Sequence, residues 1–444
     1  MINDTIVALA TPNTKSAIAI IRLSGKDSIK IVNRFFSGDL EKVAANTINY
    51  GFINDENNNK LDEVLVSVFR APKSFTREDI IEINIHGGII IARKIMNLLL
   101  AHGAVLAMPG EFSQRAYLNG RIDLLEVEAI ADMIDAHNDK ASSLAMLGLS
   151  KKTTGLINDL KEDLIQIIAQ VEAKIDYPEY DDIDDIEASE FLKILNSFKD
   201  KIMSIIDNSK SGKIIKNGLQ IAIVGRPNVG KSSLLNAFLN ENKAIVTDIA
   251  GTTRDIVEAD YYLNDINVTF LDTAGLRISD DIVEKMGIEK SYEAIIKADL
   301  ILLVLDNTNE NINDDEIKIM NEYQDKVLVV INKSDLENKI KVDGIKISAL
   351  NNDVELVKEA IIKKLDLDIN IDNEALFLSN ERHISLLKII NSNIDNALES
   401  LRNNMTNDIV IEDLERAYYH LEEILGNSNH DLLDDLFSRF CLGK

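Results

Sequence analysis

Two periodicities of apolar and polar positions divide the chain. From Asp4 to Gly120, short β-branched runs at Ile6 to Ala8, Ala17 to Leu23, Val64 to Phe69 and Ile80 to Ile85 are separated by turns, which predicts strands. Helices are predicted over Asp27 to Phe36 and Ile89 to His102, the latter stopped by Gly103. This first segment is therefore α+β. From Ile122 the period becomes helical, and Leu156, Leu160, Leu164, Ile168, Val171 and Ile175 form one apolar stripe on a long amphipathic helix. Phe191, Leu195, Phe198, Ile202 and Ile205 repeat the pattern, and the acidic stretch Asp176 to Glu187 between them reads as a solvated loop. Helical stripes return late in the chain, at Ile384, Leu387, Ile390, Ile394, Leu398 and Leu401, and again at Leu414, Ala417, Leu421 and Ile424. Neither helical flank alone makes a convincing core, so one all-α bundle interrupted by an inserted segment is the economical architecture. The expected divisions are 1–118, 119–215, 216–372 and 373–444.

The inserted segment carries the chemistry. Its first apolar run, Leu219 to Val224, is followed at once by G-x-x-x-x-G-K-S from Gly225 to Ser232. In such a P-loop the glycines let backbone N–H groups turn inward around phosphate oxygens, and a helix N-terminus adds the positive end of its dipole. Asn228, Val229, Gly230, Lys231, Ser232 and Ser233 are thus the candidate phosphate-binding residues, with Lys231 reaching the β/γ-phosphates and the Ser232 hydroxyl binding Mg²⁺. Asp272-Thr273-Ala274-Gly275 follows the run Val268 to Leu271, placing a carboxylate at a strand end for the metal and a Gly amide near a γ-phosphate. Asn332-Lys333-Ser334-Asp335 follows Val327 to Ile331, and Ser348-Ala349-Leu350 follows Gly344 to Ile347. Asp335 offers two acceptors for the N1–H and exocyclic amine of guanine, whereas adenine would leave the carboxylate facing another acceptor. The amides at Ser348, Ala349 and Leu350 suit the guanine oxygen. Four motifs in this order resemble the P-loop GTPases, against the alternatives of an ATPase or a degenerate fold.

Composition narrows the setting. Hydrophobic residues make up 45% of the 444, with no apolar run of membrane length, and Asp4 stands where a basic-then-apolar leader would begin, so a cytoplasmic protein is expected. The single cysteine, Cys441, excludes an internal disulfide framework and fits a reducing compartment. A formal net charge of -26 repels phosphate backbones on average, so an RNA substrate would be held mainly by a partner. Three places in the first segment admit both an ordinary and a functional reading. Arg22 sits late in an apolar strand, where it either needs an acceptor or reaches solvent from an edge. Glu82 lies inside Ile80 to Ile85, where a carboxylate either faces solvent or accepts hydrogen bonds from a pterin-like ring. Pro109 to Ala116 is a turn into a helix whose amides either face an anion or are capped locally.

Taken together, the motifs and both chain ends resemble the MnmE (TrmE) family of tRNA modification GTPases. The marks are Asp4-Thr5-Ile6-Val7-Ala8, His86-Gly87-Gly88, Pro109-Gly110-Glu111-Phe112-Ser113, the P-loop, Thr247 to Asp255, Asp272 to Arg277 and the Cys-x-Gly-Lys terminus. The resemblance implies an N-terminal domain that forms a homodimer and binds a 5-formyl- or methylene-tetrahydrofolate, with contacts at Arg22, Glu82 and Lys444. Arg121 stands where the family pattern has Lys; charge is kept, but the planar fork has a different reach. It further implies a heterotetramer with MnmG (GidA), an FAD-containing, NADH-using protein. The joint product is a carboxymethylaminomethyl or aminomethyl group at carbon 5 of the tRNA wobble uridine, with Cys441 close to the folate. Leu276 occupies the position where Ras-type enzymes place a water-orienting Gln, and no arginine finger is evident. By resemblance, Glu284 orients water through a second water. K⁺ takes the finger's place when two GTPase domains meet face to face, held by Asn228 of the P-loop and by Thr247, Ile249 and Thr252 of a second nucleotide loop that also contains Asp248, Ala250 and Gly251. Thr253 completes Mg²⁺ with Ser232. A ribosome-assembly GTPase would instead carry a basic RNA-binding appendage, which the C-terminal region lacks, and a mechanical dimer scaffold would leave the terminus inert.

Overall fold

A computed structural model describes residues 4–176, 188–241, 261–271, 294–365, 367, 378–403, 405–427, 437 and 443. Contacts group the chain into two compact units, one of residues 1–131, 148–157 and 421–444 and the other of 132–147 and 158–420.

The first unit is built on a six-stranded sheet of β1 (Thr5–Leu9), β2 (Ile18–Ser24), β3 (Thr47–Asn54), β4 (Lys60–Phe69), β5 (Ile80–His86) and β6 (Ala104–Leu106), in the order β3-β4-β5-β2-β1-β6. Only β1 and β6 pair in parallel. Helices α1 (Ser28–Asn33) and α2 (Ile89–Ala101) match two predicted stretches, although α1 is shorter than Asp27 to Phe36. Strands β3 and β6 escape the periodicity because β3 is punctuated by Asn and Gly and β6 has three residues. One sheet face is apolar and closed: Val7, Ile21, Leu23, Val66, Val68, Ile81 and Ile83 join residues of α1 and α2 in one core cluster. Strand alternation sends the intervening residues to the other face. Register there lines up Ile48, Ser67, Glu82 and Arg22 across four strands, and Tyr50, Leu65, Asn84 and Ile20 in the next row. Ile48, Tyr50 and Leu65 are exposed, so this second face is open over β3 and β4.

Helix α3 (Glu111–Leu118) carries Arg115, which is 2% exposed. Its guanidinium pairs with Glu111 Oε1 at 2.8 Å and Glu78 Oε2 at 3.1 Å and donates to the Asp4 carbonyl at 2.8 Å. Removing it strands two carboxylates, so Arg115→Leu is expected to cost this domain about 3 kcal/mol, the low end for a broken buried pair because Glu78 is partly solvated. Urea denaturation followed by near-UV signal checks this; a change under about 1 kcal/mol would contradict the network's role.

Three helices, α4 (Leu124–Asp135), α5 (Asp139–Leu149) and α6 (Lys152–Asp176), lead to α7 (Ala188–Asn217). On α6, Leu156, Leu160, Leu164 and Val171 are buried, but Ile167 is buried in place of the expected Ile168. Successive four-residue steps overshoot the 3.6-residue turn, and the stripe corrects by one position. The predicted residues of α7 are all buried, and α7 packs on the helix Glu381–Arg402, so the two chain segments flanking the insertion meet. The predicted residues of the helix Asn407–Leu425 are buried as well.

The inserted segment forms a second sheet of β7 (Leu219–Val224), β8 (Tyr261–Leu263), β9 (Ile266–Leu271), β10 (Leu300–Asp306), β11 (Val327–Asn332) and β12 (Ile345–Lys346). Its order is β12-β11-β10-β7-β9-β8, parallel except for β8 against β9. Every residue of the central β10 is buried, as a strand covered on both faces requires. Among the described residues, no helix is long and apolar enough to cross a membrane.

Candidate functional site

The nucleotide motifs gather at the carboxyl ends of the parallel strands, where doubly wound sheets bind ligands. After β7 the chain turns through Gly225 to Gly230 into α8 (Lys231–Glu241). The turn needs Asn228 and Gly230 in the left-handed region, with φ of 65° and 100°. Lys231 crosses the turn, its ammonium donating to the Gly225 and Arg226 carbonyls at 2.7 and 2.8 Å. Ser232 is exposed on the first turn of α8, and Ser233 follows it half-buried.

Asn332 ties the base and phosphate loops together. From the end of β11 its carboxamide donates to the Val229 carbonyl at 2.9 Å and accepts from the Ala349 amide at 3.0 Å. Asp335 is exposed, and Ser348 donates its hydroxyl to Asp335 Oδ1 at 2.7 Å. Leu350 is 80% exposed beside it in sequence. Asn228, Val229, Gly230, Lys231, Ser232, Asn332, Lys333, Asp335, Ser348, Ala349 and Leu350 therefore lie at or just after the carboxyl ends of β7, β11 and β12. Two supports are not legible from motifs. Arg226 is gripped by Glu316, Nε to Oε1 at 3.0 Å and Nη2 to Oε2 at 2.9 Å, and Glu316 is itself the capping-box residue of the helix Asp314–Glu322. Asp306, at the end of β10, binds the Lys333 ammonium and the Thr308 amide and hydroxyl. Burial raises the Asp306 carboxyl, but the bonds from Lys333 and Thr308 outweigh it and hold the pKa below the ordinary value.

In the first unit, Arg22 and Glu82 are register partners on the interior strands β2 and β5. Arg22 is therefore not an edge residue: Nε and Nη2 each lie 2.8 Å from Glu82 Oε1, and the two side chains are 23% and 21% exposed. Arg22 Nη1 also donates to the carbonyl of Gly443 at 3.1 Å. The guanidinium lies 5.7 Å from the Phe112 ring, and Arg121 lies 4.8 Å from the Phe75 ring. Phe112 and Phe75 belong to one cluster with Ile6, Ala8 and Ala107, so both arginines border the same apolar knot. The turn before α3 is closed by Glu111, whose Oε2 accepts from the Met108 amide at 2.8 Å and whose amide donates to the Met108 carbonyl at 3.2 Å, while Gly110 at the N-cap makes no side-chain capping bond. His86 bonds Asp62 at 2.7 Å, which raises its pKa.

Thr247, Asp248, Ile249, Ala250, Gly251, Thr252, Thr253, Asp272, Thr273, Ala274, Gly275, Glu284, Cys441 and Lys444 lie outside the described residues, as do 177–187 of the acidic stretch.

A family model described as the MnmE helical domain matches residues 124–441, and one described as the GTP-binding protein TrmE N-terminus matches 5–121. The chain belongs to the MnmE (TrmE) family of tRNA modification GTPases. It is 45% identical over 446 residues to the tRNA modification GTPase MnmE of Acholeplasma laidlawii, covering 99% of both chains. Identity to the same-named proteins of Ligilactobacillus salivarius and Bacillus pumilus is 44% and 43%, covering 99% of this chain and 98% and 100% of theirs. Among solved structures, Aquifex aeolicus Era bound to GDP and aluminium fluoride is 23% identical, with a TM-score of 0.25, covering 47% of this chain and 89% of that one. The G domain of the T. maritima FeoB iron transporter is 22% identical, with a TM-score of 0.23, covering 33% and 98%. Family membership accounts for the multidomain architecture, with an α+β N-terminal domain, a helical domain and a P-loop GTPase segment, and for the pairing of GTP binding with tRNA modification.

Proposed function

We propose that this MnmE-family protein is a K⁺-dependent GTPase that works with MnmG (GidA) to add a carboxymethylaminomethyl or aminomethyl group at carbon 5 of the tRNA wobble uridine. The observation that carries the folate half is the meeting of Arg22, Glu82 and Gly443, residues from both ends of the chain, at the border of an apolar knot. Glu82 commits Oε1 to Arg22, leaving Oε2 to accept from the adjacent N–H groups of a pterin, while Arg121 and Lys444 suit the acidic remainder of a reduced folate. When bound, the folate supplies the one-carbon unit, and FAD and NADH belong to the partner. Cys441 acts beside this site. The open face bearing Ile48, Tyr50 and Leu65 supports a homodimer through this domain. The tRNA is held mainly by the partner, in keeping with the charge of -26. The domains divide as 1–118, 119–215, 216–372 and 373–444, and the setting is cytoplasmic.

For hydrolysis, Lys231 and the loop amides hold the phosphates, Asp335 selects guanine, and Ser232 with Thr253 would hold Mg²⁺. Asn228 is placed by its left-handed backbone at the turn's crest, exposed, with a carboxamide oxygen able to ligate a cation. With Thr247, Ile249 and Thr252 it would hold K⁺, which would supply positive charge where negative charge grows in the transition state. Glu284 orients water. Asn228→Ala is expected to abolish potassium stimulation, a loss of roughly 10²-fold in kcat as for other transition-state charge stabilisers, while GDP still binds. Equal stimulation in wild type and variant would remove the assignment. The whole function is tested by mass spectrometry of wobble nucleosides from cells with and without the gene; identical nucleosides would overturn it.

A further inference from the structure

Asp335 is exposed and sits on a four-residue turn, Lys333 to Leu336, that opens in the left-handed region with Lys333 φ at 64°. Such a turn does not hold its shape unaided. We infer that Asp306 and Asn307, at the carboxyl end of β10, are positioning residues that set guanine specificity by clamping this turn. The inference rests on Asp335 as the guanine acceptor.

Asn307 is 1% exposed. Its carboxamide nitrogen donates to the carbonyls of Lys333 and Leu336, at 3.4 and 3.3 Å, the first and last residues of the turn. Both partners are carbonyls, so the amide must present its NH₂ side; the reverse orientation would set oxygen against oxygen. The Leu336 amide closes the turn on the Lys333 carbonyl at 3.0 Å. The Asn307 backbone fixes the same loop on both sides, donating to the Asn332 carbonyl at 3.0 Å and accepting from the Lys339 amide at 2.9 Å. Asp306 completes the clamp: Oδ2 holds the Lys333 ammonium, while the Thr308 amide and hydroxyl fix Oδ1 at 2.9 and 2.7 Å. The Asn307 side chain bonds the base turn, and its link toward the phosphate loop runs through its backbone N–H to the Asn332 carbonyl, which a side-chain truncation keeps, so loosening the clamp should move base recognition more than phosphate binding.

That separation is the test. Affinities for GTP, ATP and inosine triphosphate, which lacks the exocyclic amine, are measured on the full chain as wild type, Asn307→Ala and Asp306→Asn. Wild type is expected to prefer GTP over inosine triphosphate by roughly tenfold or more, the value of one hydrogen bond to a charged acceptor. Asn307→Ala is expected to cut that ratio to about threefold or less, GTP losing more affinity than inosine triphosphate, which has the N1–H bond alone to lose, and Asp306→Asn to shift it in the same direction by a smaller factor. Unchanged ratios in both variants, or a parallel loss of both nucleotides, overturn the inference. Wild type that binds GTP and ATP equally would instead overturn the assignment of Asp335, a distinguishable failure.

Discussion

Gly230→Ala is expected to lower GTP affinity by at least about 100-fold and to abolish hydrolysis at ordinary substrate concentrations. Backbone strain comes first: φ at this position is 100°, a region costing a Cβ-bearing residue about 1–3 kcal/mol. Collision adds to it, since a Cβ would stand 2.1 Å from Asn332 Nδ2. That amide cannot swing aside freely, because it is held at one end by the Val229 carbonyl and at the other by the Ala349 amide. Displacing it leaves buried groups unpaired at about 1–3 kcal/mol each and detaches the base loop from the phosphate loop. Several kcal/mol, at about 1.4 per factor of ten, exceed two decades. Isothermal titration with GDP measures the effect, with circular dichroism to show that the sheet persists; a dissociation constant within tenfold of wild type would contradict the coupling through Asn332.

Gly443→Ala should separate the two activities. Gly443 has φ of 96°, and a Cβ there would lie 2.8 Å from both Ala10 Cα and the Leu9 carbonyl oxygen. These are backbone atoms at the end of β1, and the Ala10 amide is pinned to the Ile20 carbonyl at 2.8 Å, so neither can yield easily. Position 443 must lift instead, breaking its bond to Arg22 at 3.1 Å. Reduced-folate affinity and wobble modification are expected to fall by roughly tenfold or more, while intrinsic GTP hydrolysis, whose residues lie in the other unit, stays within about twofold. Equal loss of both activities, or unaltered folate binding, would sink the assignment of the C-terminal segment to the Arg22 and Glu82 site.

What can be read along the chain is what short spacing dictates. A P-loop is a device of eight consecutive residues, and Asn-Lys-x-Asp is four residues directly after an apolar run, so Gly225 to Ser232 and Asn332 to Asp335 are visible as motifs. The helical stripes are visible because a helix face repeats locally; the slip of Ile168 for Ile167 comes from accumulated rotation, and Leu401, at its helix end, is half-buried. Strand β10 has no alternation to betray it, since both its faces are buried. Only tertiary structure decided that Arg22 faces Glu82, 60 positions away, and reaches Gly443, 421 positions away. It also decided that Asp306 and Asn307 hold the turn Lys333 to Leu336, and that Asn332 binds two loops at once. Strand register and side-chain hydrogen bonds join positions far apart along the chain, and a one-residue slip in pairing would turn every such side chain to the opposite face. Periodicity settles which face is apolar; it leaves open which partner each polar exception meets.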